Sequence, residues 1–220
     1  MIERFIQIVK TDAPGAEEAS ATRERLKGGF PPGAARRMTQ LGMLIGSVLG
    51  AMEPTAADAV VYLSEFGESR ALESFLESFP GASPTLFQTS IHPSGVQQGL
   101  IGRQRSVPEL FPFAGAGGIV GQALLAALLS PAQRVLFCGG EERGSRLREL
   151  GVASERTFAF ALALTREAAP GVAGRLVLSP DDNVVSKLSL SEWFGILDQR
   201  RDYRGPLVDG FSLQLTWGPT

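Results

Sequence analysis

Cysteine and histidine are almost missing from this chain of 220 residues: there is one of each, Cys138 and His92. A single cysteine forms no intrachain disulfide and builds no cysteine-rich metal site, and a single histidine excludes every two-histidine zinc motif. Any Ser-His-Asp or Cys-His mechanism would have to run through His92 alone. No GxxxxGK[ST] phosphate loop is present. Neither sign of charge dominates: 21 basic against 23 acidic residues leave a net charge of −2, so no positive field draws the chain onto nucleic acid or an anionic membrane. With no basic segment followed by an apolar one at the start, a cytoplasmic location is expected.

Long uninterrupted apolar runs are also scarce. A long uncharged and mostly apolar stretch, Leu110 to Gln133, is broken by Pro112, Pro131 and four glycines, leaving Ile119 to Leu129 as one clean helical run too short for a membrane span. The 26 glycines and 14 prolines together stay under the roughly one-quarter share that signals low complexity, so they read as turns. What is there in quantity is hydrophobic residues, 44%, spread along a chain long enough to bury its own core.

The run RVLFCGG, Arg134 to Gly140, reads as a buried strand following the Ile119–Leu129 helix, and Asp58 to Ser64 as another behind a helix over Arg36 to Met52. This alternation predicts an α/β sheet. Residues 70–79 place Leu72, Phe75, Leu76 and Phe79 on one helical stripe, with Glu73 and Glu77 on the other face. Residues 157–165 and 174–179 read as two strands pairing as an edge hairpin. Ser189 and Glu192 have capping-box spacing before a short helix, RRDYRG beyond it reads as a turn, and Phe211, Leu213, Leu215 and Trp217 alternate as a terminal strand. No linker divides the chain, so a single domain over residues 1–220 is expected, with a helix-strand extension from about residue 187.

Few residues promise chemistry. A GxGxxG fingerprint starting at Gly115 would need glycine where Val120 stands, and no buried strand is read before it, so the cluster reads as a close-packed helix start. Cys138 lies within the buried strand and reads as a small core residue. His92, in QTSIHPSG, has no second catalytic group in view and reads as a histidine hydrogen-bonding within a loop. The Glu141-Glu142 pair reads as solvated.

In order along the chain, several segments resemble the N-terminal half of a β-ketoacyl synthase, and most of all its short chain-length-factor-like relatives. PGAARRMTQLGMLIGSVLGA, residues 32–51, is similar to the family's arginine-methionine helix, and VVYLSEFGESRALESFL to the strand and turn after it. SPTLFQTSIHPSG, Ser83 to Gly95, resembles the family's Ser-Pro-Thr stretch that ends in Ser-Val-His-Asn-Ala, with Pro93 and Ser94 where the family has Asn-Ala. The small-residue helix, the strand ending in Glu141-Glu142 and the strands up to Trp217 complete the likeness over residues 32–217.

The resemblance implies a thiolase-like half, a mixed sheet with helices on its faces. It also implies what this chain lacks. Active family members start the small-residue helix with a nucleophilic cysteine, whose thiolate the helix N-terminus stabilises, and take two histidines from a C-terminal half. Here the corresponding segment is FAGAGG, with Gly115 nearest the nucleophile position, and a whole condensing enzyme is longer than this chain, so the histidine-bearing half is expected to be absent. No catalytic residue, metal or cofactor is therefore expected. The implied partner is the catalytic subunit of a β-ketoacyl synthase in type II fatty-acid or polyketide synthesis of the aryl-polyene kind, with acyl carrier protein reached through the complex and self-association as another arrangement. Ser83, Pro84, Phe87, Ser90, His92, Gly115, Gly117 and Gly118 are the candidates for the interface or the mouth of an acyl tunnel. Two other readings stand beside it: a free-standing acyl-thioester hydrolase or acyltransferase using His92, with Cys138 close by, and a scaffolding module without a catalytic role.

Overall fold

The computed structural model describes residues 1–31, 33–181 and 188–218; the expected boundary near residue 187 and Pro32 lie outside the described residues. Its elements follow in chain order: β1 (Ile2–Asp12), α1 (Ala19–Leu26), α2 (Gln40–Gly50), β2 (Ala59–Ser64), α3 (Ser69–Glu77), α4 (Pro84–Thr89), α5 (Ser94–Gly102), β3 (Glu109–Ala114), α6 (Ile119–Leu129), β4 (Arg134–Glu141), α7 (Arg146–Glu149), β5 (Phe158–Thr165), β6 (Gly174–Asp181), α8 (Leu190–Asp198), β7 (Tyr203–Val208) and β8 (Gly210–Trp217). The eight strands form one mixed sheet in the order β3-β2-β4-β5-β1-β6-β8-β7. β2 runs parallel to both β3 and β4, while β5 lies antiparallel between β4 and β1.

Period-two alternation along the central strands sorts side chains onto two buried faces. In β5 the large residues Phe158, Phe160, Leu162 and Leu164 join Phe137, Trp193 and Phe194 against α6 and α8. Between them Ala159, Ala161 and Ala163 make a shallow face on which α2 and α5 rest with Leu136 and Tyr62. FAFALALT is thus one strand serving two packing distances.

Local signals placed most of these elements, and tertiary context changed the rest. Thr39, extended at φ −68° and ψ 167°, accepts from Gly42 N at 2.9 Å and starts α2 at Gln40, so the expected helix from Arg36 is shorter and Ala35–Arg37 form a separate tight turn. The capping box of Ser189 and Glu192 opens α8 as read. RRDYRG is not a turn throughout: Tyr203 begins β7, which pairs with β8. The expected hairpin of β5 with β6 does not form, because β1 lies between them and pairs with both.

β1 carries a buried arginine in an inward position. Arg4 donates from Nε to Leu128 O (3.4 Å), from Nη1 to Ala132 O (3.1 Å) and from Nη2 to Ser130 O (2.5 Å), closing the C-terminal end of α6 where a cation suits the helix dipole. Burial, with Arg166 nearby, pulls its guanidinium down to about 10, so it stays charged at neutral pH.

At its other end α6 begins with Gly117 (φ +81°) and Gly118 (φ +83°), left-handed conformations that favour glycine. One turn on, a side chain at Gly121 would strike Leu207 O and Val208 of β7. Gly121→Val is expected to push α6 off β7 and to cost about 1–3 kcal/mol of stability, measured by chemical denaturation. The run from Leu110 to Gln133 resolves into β3, with Pro112 on an exposed edge strand, and α6; no helix among the described residues is long and apolar enough to cross a membrane.

Candidate functional site

In an open α/β sheet the crevice beyond the carboxyl ends of parallel strands is where ligands collect. Here β2 ends in the turn Ser64-Glu65-Phe66-Gly67, β3 in Ala114-Gly115 and β4 in Glu141-Glu142. The glutamate pair is not solvated as expected. Glu141 is 2% exposed, and its Oε1 accepts from Ser64 Oγ at 3.1 Å and from Glu65 N at 2.5 Å. Burial, partly offset by those bonds and one from Phe66 N, pushes its carboxyl up to about 8. Glu142 turns the other way and accepts from Leu41 N at 3.0 Å, satisfying an orphan donor in the first turn of α2.

His92 lies 28 residues beyond Ser64 in sequence and against the same strand end in space. Its Nδ1 is 3.1 Å from Glu68 Oε2, and its ring stacks on Tyr62 with centroids 5.1 Å apart and planes 18° from parallel. Glu68 Oε1 in turn accepts from Gly95 N at 2.9 Å. His92 Nε2 and Tyr62 Oη are sealed from solvent with no hydrogen-bond partner among the described residues. The histidine is a packed, hydrogen-bonded residue, as its setting in the sequence suggested. Cys138, the cross-strand neighbour of Tyr62, is fully buried, and burial drives its thiol well above the ordinary range.

The eight candidate residues fall into three groups. Ser90, His92 and Gly115 come together in a cavity of about 520 Å³ that Leu72, Leu147 and Val152 also line. Gly117 and Gly118 face a separate cavity of about 720 Å³ between α6 and β7. Ser83 caps α4 by accepting from Leu86 N at 3.3 Å, with Pro84 in the first turn, and thereby presents Phe87 at the surface.

On that surface the apolar stripe of α3 lies exposed. Leu76, Phe79 and Phe87 are 53%, 57% and 52% exposed, and Leu72 is exposed beside them, while Glu73 is 4% exposed. Phe75 gathers the aromatic rings, its centroid 5.3 Å from those of both Phe79 and Phe87. Glu73 is buried because it has work for every lone pair: it accepts from Ser145 N, Ser145 Oγ, Leu147 N (2.6 Å) and Arg70 Nη1 (3.0 Å). Burial alone would raise its carboxyl, but these bonds prevail and bring it down to about 2. Glu73→Gln, which can accept with one oxygen only, is expected to lose about 2 kcal/mol at neutral pH and to loosen the 143–152 segment, read as faster hydrogen exchange there.

Sequence reasoning passed over Tyr62, Glu65, Phe66, Glu68 and Glu73. The single available signal is position, a glutamate directly after each of the buried parallel strands β2 and β4. Among the described residues no group of three or more His, Cys, Asp or Glu side chains is arranged to hold a metal ion.

The sheet is mixed, with β3, β2 and β4 parallel and every pairing from β4 through β7 antiparallel, and helices cover both faces, a thiolase-like fold that solved ketosynthase structures share. Among solved structures the chain is similar to one in a ketosynthase (ApeO) in complex with its chain length factor (ApeC) from Xenorhabdus doucetiae, with TM-score 0.66 and 20% identity over 98% of this chain and 100% of that one. It is similar also to the ishigamide ketosynthase/chain length factor, with TM-score 0.56 and 14% identity over 81% of this chain and 67% of that one. A type II polyketide synthase acyl-carrier protein in complex with its ketosynthase bound to the hexaketide, AntDE:AntF, gives TM-score 0.55 and 13% identity over 82% and 70%. At such identities the likeness is one of fold. No family model and no curated protein matches the sequence.

Proposed function

We propose that this chain is a non-catalytic, chain-length-factor-like partner of a β-ketoacyl synthase in type II fatty-acid or polyketide synthesis of the aryl-polyene kind, and that it walls an acyl cavity at their shared interface. The observation that carries this reading is the exposed apolar face of α3 and α4 opening onto the cavity of Ser90, His92 and Gly115. Single exposed hydrophobic residues are ordinary, but a run of them around a cavity marks a surface that is covered in use. β3 adds to it, since among the described residues it pairs with β2 alone and leaves its outer edge beside half-exposed Phe111.

Where the resemblance places a nucleophile the chain has Gly115, and its one cysteine is buried as a neutral thiol. Against the reading as a free-standing hydrolase, Glu68 holds Nδ1 of His92, and Nε2, the nitrogen left to act as a base, is buried with no hydrogen-bond partner among the described residues. A likeness in fold that spans the whole of a chain from a ketosynthase and chain length factor complex supports the partner reading over scaffolding alone.

The experiment is purification of the tagged chain from its native cell with intact mass spectrometry of every species that elutes with it. A condensing enzyme at fixed stoichiometry, acylated on its own cysteine while this chain is unmodified, is the expected result, with carrier protein joining through that complex. Elution as a homodimer, or an acyl group on Cys138, would overturn the proposal.

A further inference from the structure

Three cavities share one residue as a wall. Glu65 lines the 520 Å³ cavity that opens toward the apolar face, the 720 Å³ cavity walled by Ile119, Leu125, Leu188 and Leu207, and a third of about 200 Å³ beside Glu141. The turn that carries it is fastened: Glu65 N–H and Ser64 Oγ both donate to Glu141, Ser64 Oγ also reaches Gly67 O at 3.3 Å, and Gly67 takes φ +58°, which a side chain would strain. Glu65 is half-buried, its carboxyl raised by burial despite a hydrogen bond from Leu190 N.

We propose that Glu65 is the stop that limits how far an acyl chain extends from the first cavity toward the second, an inference that rests on the acyl-cavity reading above. Methylenes gain by leaving water for apolar walls, and both cavities offer such walls. At the divide between them a chain would have to press against a carboxyl group and strip it of water with no hydrogen bond in return, which costs more than the next methylene gains. The second cavity therefore stays closed to a saturated tail although its lining suits one. Gly67 and Glu141 keep the turn from yielding, so the length limit is built into the chain and does not depend on the ketosynthase.

The test is calorimetric binding of saturated acyl N-acetylcysteamine thioesters, from butanoyl to hexadecanoyl, to the full chain and to Glu65→Ala and Glu65→Gln. In the native chain affinity is expected to rise about fourfold per methylene and then level off. In Glu65→Ala the levelling point should move to acyl groups several carbons longer. Glu65→Gln, which keeps the volume and the backbone bonds, should fall between and guards against a folding defect in the alanine variant. Levelling at the same length in both variants would overturn the stop, and so would failure of the native chain to bind any thioester. If thioesters fail to bind while a condensing enzyme still co-purifies, the partner reading stands and only the inference falls. If the length shift appears but no condensing enzyme is found, the reverse holds.

Discussion

Replacing Leu76 and Phe87 together by aspartate is expected to abolish capture of a condensing enzyme and leave the free chain folded. Both side chains are already about half in water, so the free chain loses little by their removal. In a complex they would stand at the centre of a patch that runs from Phe79 through Leu76 and Leu72 to the rim of the cavity, with Ile91 and Val152 also exposed near it. Central apolar anchors cost about 2 kcal/mol or more each when truncated, and aspartate adds an unpaired charge to a desolvated site, so the pair should weaken association by at least about a thousandfold. Affinity capture of the partner with the native and double-variant chains, alongside their thermal melts, measures both halves of this expectation. Equal capture by the variant would move the interface elsewhere. An early melt would mean that α3 packs inward in solution, as its stripe of Leu72, Phe75, Leu76 and Phe79 suggests when read as a sequence.

The exposed stripe of α3 shows what a single sequence carries and what it hides. Strand β4, helix α6 and the capping box of α8 were legible because each is specified by neighbours in the chain: a β-branched and aromatic run, an apolar run bounded by glycine and serine, a serine three residues before a glutamate. β1 was not, since Arg4 occupies an inward position and a register shift between Ile6 and Ile8 interrupts its alternation, so the strand that separates β5 from β6 stayed invisible and the two were paired. A stripe of leucine and phenylalanine states that a surface will be covered, never by what. The site divides along the same line. Ser90, His92 and Gly115 do meet at one cavity, but its walls include the carboxylates Glu65 and Glu68, residues whose usual place is in water, and bonds from distant parts of the chain, such as Gly95 N to Glu68, hold them there.

Two other buried carboxylates, Glu141 and Glu73, give the protein an unusual dependence on pH, with the largest contribution from Glu141. Its folded-state carboxyl titrates at about 8 against an ordinary value of 4.5. Between those limits the folded chain holds a proton that the unfolded chain has released, so stability is fully present below pH 4.5 and falls as the pH rises toward 8. Each pH unit of separation is worth about 1.4 kcal/mol, which sets the loss at about 4–5 kcal/mol at most. Glu73 works in the opposite sense at the acid end: brought down to about 2, it stabilises the fold above pH 4.5 and loses that contribution as the pH falls toward 2. Stability should therefore peak in mildly acidic solution and decline toward pH 8. In Glu141→Gln the amide oxygen still accepts from Ser64 and Glu65 while the amide nitrogen stands where the protonated oxygen was, so nothing remains there to titrate. The variant is expected to match the native chain near pH 5, to exceed it by several kcal/mol at pH 8, and to show a much shallower profile between, the remainder coming from Glu65 and Glu142, whose carboxyls burial also raises, measured by urea denaturation across that range. A native profile that stays level from pH 5 to 8 would mean that Glu141 is ionised in the fold, and its Oε2, without a hydrogen-bond partner among the described residues, would then have to be solvated.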